Sequence, residues 1–272
     1  MTALFEAFKN ITLSNPPDQG IQMLNLSNNL IGNVGDFSTQ VLGTNLTYLP
    51  QLQTLDLSQN WIGAWSDNGT NTLGKSIQYL TQLKNLDLSN NWIGAKKDDG
   101  TQAIGESLHY LSQLQTLDLS QNQIGNFGDN GTQAIGENLQ YLTQLQTLDL
   151  SNNYYIGVAG DSGTQAIGKS LQYLTQLQTL DLSETGIGYE ADKGTQTIGE
   201  SLRYLTQLRT LDLSNNNIGS QRGKGTQVMG ESLRYLTQLR TLDLSQNYII
   251  SGFANITNGI LYLNNLKNLY VL

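Results

Sequence analysis

The sequence predicts an α/β solenoid: a single elongated, right-handed domain with a parallel sheet on its concave side and helices on its convex side. Two observations predict it. First, a 31-residue unit recurs along almost the whole chain, and its clearest part reads L-x-x-L-D-L-S-x-N-x-I-G. Copies begin at Ile21, Leu52, Leu83, Leu114, Leu145, Leu177, Leu208 and Leu239, and a ninth, truncated copy runs from Leu266 to Leu272. Second, each copy passes from the alternating hydrophobic period of a strand to the longer period of a helix. A unit this short cannot bury its own apolar face, so it must stack on its neighbours.

The elements follow in order. Residues 1–20 are expected to form an N-terminal cap, with Leu4, Phe5 and Phe8 covering the first repeat and Pro16-Pro17 closing it. Residues 21–272 are the repeats, eight copies of 27–32 residues plus the truncated ninth. In the copy from Leu114, residues Leu114, Leu117 and Leu119 point inward, with Thr116, Asp118 and Ser120 between them, the pattern of a short strand with one buried face. Stacked copies place these strands side by side and parallel.

The chain then turns at Asn122, with Ile124 buried and Gly125 permitting the bend. Asparagine recurs there at 29, 60, 91, 153, 216 and 247. A buried turn leaves backbone groups in need of partners, and a short amide side chain offers both a donor and an acceptor. Repeat six carries Thr185 instead, so a weaker turn is expected there. Repeat five is lengthened by one residue at Tyr154-Tyr155.

A polar, glycine-rich loop leads into a helix over Thr132–Leu142, where Ile135, Leu139 and Leu142 form one apolar stripe. Asp129 is the expected N-cap of this helix, with Thr132 the alternative. Its equivalents are Asp36, Asp67, Asp98, Asp161 and Asp192; repeat seven has Gly223. Gly136 and its equivalents sit inside the helices at a local cost of ~1 kcal/mol against alanine. Their recurrence predicts that neighbouring helices approach too closely there for a side chain. Helices are ~10 Å wide and strands pair at ~4.8 Å, so the stack must curve with the sheet inside.

The run L-x-x-L-x-L-x-x-N-x-I-G, followed by D-x-G-x-x-x-I-x-x-x-L, resembles the leucine-rich repeats of the ribonuclease-inhibitor-like subclass. The resemblance covers residues 21–272. One departure is systematic: three extra residues stand between the turn glycine and the aspartate, as in Ala64-Trp65-Ser66 or Val158-Ala159-Gly160. The resemblance implies an α/β horseshoe that binds proteins through its concave face and loops. By analogy with repetitive proteins of host-associated bacteria, it also brings a bacterial host-interaction role into view.

Composition narrows the function. The formal net charge is −8 and the pI about 4.5, which argues against nucleic acid as partner because that needs a basic face. Cysteine is absent, so thiol chemistry and cysteine zinc sites are excluded. Glu6 interrupts the place where a signal peptide would need an apolar run, and no stretch approaches membrane-spanning length. A cytoplasmic protein fits, as does one exported without a recognisable signal peptide.

Two surfaces are candidates for binding a protein partner. The first is an acidic column on the concave strands: Asp56, Asp87, Asp118, Asp149, Asp181, Asp212 and Asp243. Neighbouring charges there repel by ~1 kcal/mol in water, and a basic partner would relieve the repulsion. The competing reading is that aspartate is only the repeat's default polar residue. The second candidate is an aromatic rim of Trp61, Trp65 and Trp92, continued by Phe127, Tyr154 and Tyr155. Exposed Trp and Tyr anchor interfaces, and the three tryptophans are expected to form one cluster. The tyrosines at the helix ends, one per copy from Tyr48 to Tyr262, are read as packing between helices.

Other features point to a solvated surface. Arg203, Arg209, Arg222, Lys224, Arg234 and Arg240 crowd the last repeats, with Glu200–Arg203 and Glu231–Arg234 spaced for helix pairs. His109, the only histidine, takes a position that holds Gln or Arg in other copies, so it is read as a surface substitution and not a catalytic base. The Gly-Asp-x-Gly loops lack the alternating acids of a calcium loop. No catalytic residue, metal site or cofactor is expected, and the chain reads as a non-enzymatic protein-binding scaffold. Two other readings stay open: a glycan- or ligand-binding lectin-like surface using the rim aromatics, and a structural or designed repeat scaffold without a dedicated partner. Leu269 and Leu272 lack cover in the truncated last copy, so either continuation of the chain or a homodimer through this end is expected. The Asn258–Leu263 segment is expected to bend inward as a partial cap.

Overall fold

The computed structural model describes residues 20–221 and 224–271, so the expected N-terminal cap lies outside the described residues except for Gly20. Among the described residues nine three-residue strands form one sheet in chain order. They are β1 Met23–Asn25, β2 Thr54–Asp56, β3 Asn85–Asp87, β4 Thr116–Asp118, β5 Thr147–Asp149, β6 Thr179–Asp181, β7 Thr210–Asp212, β8 Thr241–Asp243 and β9 Asn268–Tyr270. Every neighbouring pair is parallel, and equivalent residues pair with one another throughout. The lengthened repeat five therefore absorbs its extra residue outside the sheet. The middle leucine of each strand from β1 to β8 is buried, and the residues on either side face outward.

The second layer holds eight α-helices among the described residues: α1 Phe37–Leu46, α2 Asn68–Ile77, α3 Asp99–Ser107, α4 Asn130–Leu139, α5 Ser162–Leu171, α6 Lys193–Leu202, α7 Gly225–Leu233 and α8 Phe253–Ile260. One continuous core of leucine and isoleucine lies between sheet and helices. This is an α/β solenoid of stacked repeats. The helix glycines mark its tightest contacts. A Cβ on Gly105 would stand 2.5 Å from the Ile135 amide nitrogen, and one on Gly136 equally close to that of Ile167.

The turn asparagines form a ladder through the core. Asn91 is fully buried. Its Nδ2 donates to the Leu57 carbonyl of the preceding repeat at 2.8 Å and to Leu88 and Ser89 of its own. Its Oδ1 accepts the preceding repeat's Asn60 and Ile62 amides. Asn60, Asn122 and Asn216 bridge repeats in the same way.

Thr185 breaks this ladder, yet its turn is remade rather than merely weakened. The Thr185 hydroxyl donates to Leu182 and approaches Asn216 Oδ1. The Ile156 amide, which in other repeats reaches the next asparagine, turns back to the Asn153 carbonyl at 3.0 Å. It does so because Tyr154–Ile156 forms a short 3-10 turn, built with the inserted residue. The two irregularities of the sequence are thus one compensated change.

The aspartates before the helices also depart from expectation. Asp129 stands at the N-cap position of α4, but its side chain makes no capping bond to that helix. Its Oδ2 instead accepts the Gly163 amide in the first turn of α5, at 2.9 Å. Asp67, Asp98, Asp161 and Asp192 likewise reach the next repeat's helix, at Gly100, Gly131, Gly194 and Gly225. The reason is local. Asp129 has helical backbone angles, φ −96 and ψ −7, whereas a self-capping residue sits in the extended region. Each carboxylate therefore ties two repeats together.

Candidate functional site

Sheet register sets the first surface. Asp56, Asp87, Asp118, Asp149, Asp181, Asp212 and Asp243 pair rung by rung, with Asn25 before them and Tyr270 after them. All seven are half-buried on the outer face of the sheet. Each ends its strand in the same way, accepting the amide of the serine two residues on at 2.9–3.0 Å. In Asp56, Asp87, Asp181 and Asp243 the serine hydroxyl donates to the same oxygen. Asn25 makes both bonds to Ser27 without a charge. The turn therefore requires a side-chain carbonyl oxygen at this position, not an anion.

The charge itself is costly. Burial pushes the carboxyls of Asp87 and Asp181 above the usual range and raises that of Asp149, at the centre of the column, to about 6; repulsion from neighbouring aspartates adds to it. The folded carboxyl thus holds its proton to higher pH than the unfolded one. Its contribution to stability is most favourable below the unfolded value near 3.8 and is lost as pH rises through about 6. Urea unfolding is expected to show Asp149→Asn more stable than the parent at pH 7.5, by roughly 1 kcal/mol after allowance for solvent screening. The gain should shrink at pH 5. A variant less stable than the parent at pH 7.5 would show that the charge supports the fold.

Beside the column runs a row that sequence reading missed. Asn28, Gln59, Asn90, Gln121, Asn152, Glu184, Asn215 and Gln246 all adopt left-handed backbone, with φ between 54 and 57° save 53° at Asn90. Their side chains are exposed. Asparagine hints at this conformation, but glutamine and glutamate carry no such signal.

Next outward lies the aromatic rim. Trp61 and Trp92 occupy equivalent positions, are 43% and 47% exposed, and meet at 6.4 Å between ring centroids with a 47° tilt. Both have φ of 61°, an unfavourable backbone for so bulky a residue. Trp65 stands apart from this pair, donating its indole N–H to the Asn33 carbonyl at 2.7 Å. The expected three-tryptophan cluster is thus a pair plus a separately tethered ring, because Trp65 sits in the extra loop residues. Phe127 is exposed, and Tyr154 meets Tyr155 edge-on at 5.7 Å.

On the helix layer the tyrosines differ from expectation. From Tyr48 to Tyr262 they are 36–58% exposed, since the adjacent leucine fills the inter-helix space and leaves the ring outside. His109 lies among them, edge-on to Tyr110 and to Tyr141 at 5.0 and 4.2 Å. The expected helix pairs are replaced: Glu200 and Glu231 accept bonds from Gln196 and Gln227, and Arg234 lies over the Tyr235 ring. Arg222 lies outside the described residues. In the last repeat α8 packs against α7. Phe253, Ile260 and Leu261 line a cleft of about 750 Å³ there together with Leu269 and Tyr270. No helix among the described residues is long and apolar enough to cross a membrane.

The chain's similarities are of one kind. A family model described as Leucine Rich repeat matches residues 45–64, 111–136 and 204–221. No curated protein matches the chain. Among solved structures it is similar to that of a TLR13–ssRNA13 complex, with TM-score 0.49 and 21% identity over 94% of this chain. It spans about a third of that chain's length, 33%. It is also similar to an internalin, inlF, from Listeria monocytogenes str. 4b F2365, with TM-score 0.40 and 20% identity, covering 85% of this chain and 68% of the other.

Proposed function

We propose that this chain, which is a leucine-rich repeat protein, is a non-enzymatic scaffold that binds a basic protein partner on its acidic sheet face and aromatic rim. The observation that carries the reading is the in-register aspartate column. Asn25 makes the same strand-ending bonds without charge, so the turn alone does not account for a column of seven carboxylates, of which burial disfavours the charge of Asp87, Asp149 and Asp181. Each carboxylate has one oxygen engaged by its serine; the second, which in Asp56 accepts the Asn25 amide, is the one that would meet a lysine or arginine. A column of like charge also repels phosphate backbones, which favours a protein over a nucleic acid. The exposed Trp61–Trp92 pair, held on left-handed backbone, supplies the apolar anchor that a charged face lacks.

The test compares affinity capture by the parent chain with capture by Asp118→Asn/Asp149→Asn/Asp181→Asn and by Trp61→Ala/Trp92→Ala. A partner held by the parent is expected to be released by rising salt and to bind the triple variant at least tenfold more weakly. Circular dichroism should show the fold unchanged. Equal capture by the triple variant would leave the column a structural feature only.

A further inference from the structure

We propose that the helix layer carries a second, repeated binding surface, a row of clefts that takes a neutral, hydroxyl-rich polysaccharide. It lies on the opposite layer from the aspartate column and does not depend on it. Between α4 and α5 a cleft of about 440 Å³ is walled by Glu137 and Gln140 on one side and by Lys169, Gln172 and Tyr173 on the other. The same cleft recurs between α2 and α3, at about 330 Å³, with Lys75 and Gln78 facing Glu106, His109 and Tyr110. It recurs between α5 and α6, again about 330 Å³, and between α7 and α8, about 300 Å³, walled by Tyr204 and Tyr262.

Three features choose the ligand. Each cleft has a tyrosine at least 49% exposed at its edge, a flat apolar ring beside polar walls, as suits the C–H face of a sugar whose hydroxyls need amide and carboxylate partners. Each cleft holds one glutamate and at least one lysine or arginine, so neither a polyanion nor a polycation is favoured. The glutamine amides are already fixed: Gln78, Gln140 and Gln172 donate to the carbonyls of Lys75, Glu137 and Lys169 at 2.7–2.9 Å. This holds their side chains along the cleft and lowers the entropy lost on binding.

The origin of the clefts is the glycine contact. At Gly74, Gly136 and Gly168 the helices meet backbone to backbone, and beyond that contact the longer side chains bridge a gap. Because helices repeat at ~8–10 Å, one linear polymer can cross several clefts, and weak sites add up to useful avidity.

Affinity electrophoresis of the chain through gels containing galactomannan, xyloglucan or mixed-linkage β-glucan tests this. At least one of these neutral polymers is expected to retard it, while alginate and chitosan are not. Tyr110→Ala/Tyr173→Ala/Tyr204→Ala should weaken retardation at least tenfold, with an unfolding midpoint close to the parent's. Tyr173→Ala alone, with a smaller loss of about threefold, serves if the triple variant folds poorly. Trp61→Ala/Trp92→Ala should leave retardation unchanged. The proposal is overturned by no retardation in any neutral polymer, by equal retardation of the tyrosine variants, or by stronger retardation in alginate or chitosan.

Discussion

Gly136→Ala is expected to destabilise the protein by about 2 kcal/mol or more, although alanine is the better helix former by ~1 kcal/mol. The added Cβ would stand 2.5 Å from the Ile167 amide nitrogen and 2.7 Å from the Ala166 Cβ. Neither can swing aside, since both belong to the α5 backbone or sit directly on it. Relief requires α4 and α5 to move apart, and with them the leucine layer beneath. Each repeat touches only its neighbours, so strain at one junction is not shared along the stack. The urea midpoint should fall, and the transition should broaden as the two halves of the solenoid lose coupling. Glu137→Ala, on the exposed side of the same turn, serves as the control and should be nearly neutral. A Gly136→Ala variant more stable than the parent would mean that helix propensity decides at this position and the contact is soft.

The architecture was legible because stacking multiplies every signal. One copy with alternating leucines is weak evidence for a strand, but identical copies at a fixed period leave one way to bury them all. The buried asparagines and the helix glycines were readable for the same reason: each is a costly residue whose repetition demands a structural cause. What the repeat hides is which copy a side chain serves. Asp129 directly precedes the first turn of its own helix and lies a full repeat from the helix it caps. In a periodic sequence these two relations leave the same pattern. The tyrosines show the same blindness, since a ring beside a buried leucine looks alike whether it faces the neighbouring helix or solvent. The left-handed row was invisible at Gln59, Gln121 and Glu184 because their conformation is imposed by the turn, not by the residue. The aspartate column was visible as a pattern, but its role in ending each strand required the serine bonds to be seen.

Asn91→Ala should have the largest effect of any single change, roughly 3 kcal/mol or more of lost stability. Five hydrogen bonds disappear with the side chain, but they are not equivalent. The Leu57 carbonyl keeps a bond from Asn60, Leu88 keeps one from Asn122, and Ser89 keeps the Gln59 amide. The Asn60 and Ile62 amides have Asn91 Oδ1 as their partner, and without it two buried N–H groups lie beyond the reach of water. Each such group costs about 1–3 kcal/mol. Asn91→Thr should cost nearly as much. Threonine is accommodated at 185 because the lengthened turn before it returns the Ile156 amide to the Asn153 carbonyl. The turn from Asn60 to Ile62 has no inserted residue with which to make that bond. Urea unfolding of both variants, with amide exchange followed at Asn60 and Ile62, separates this account from a simple loss of packing. Fast exchange at those two amides in both variants is the expected result. Protection retained in Asn91→Thr would show that a hydroxyl oxygen suffices as acceptor, and that the compensation at repeat five is incidental.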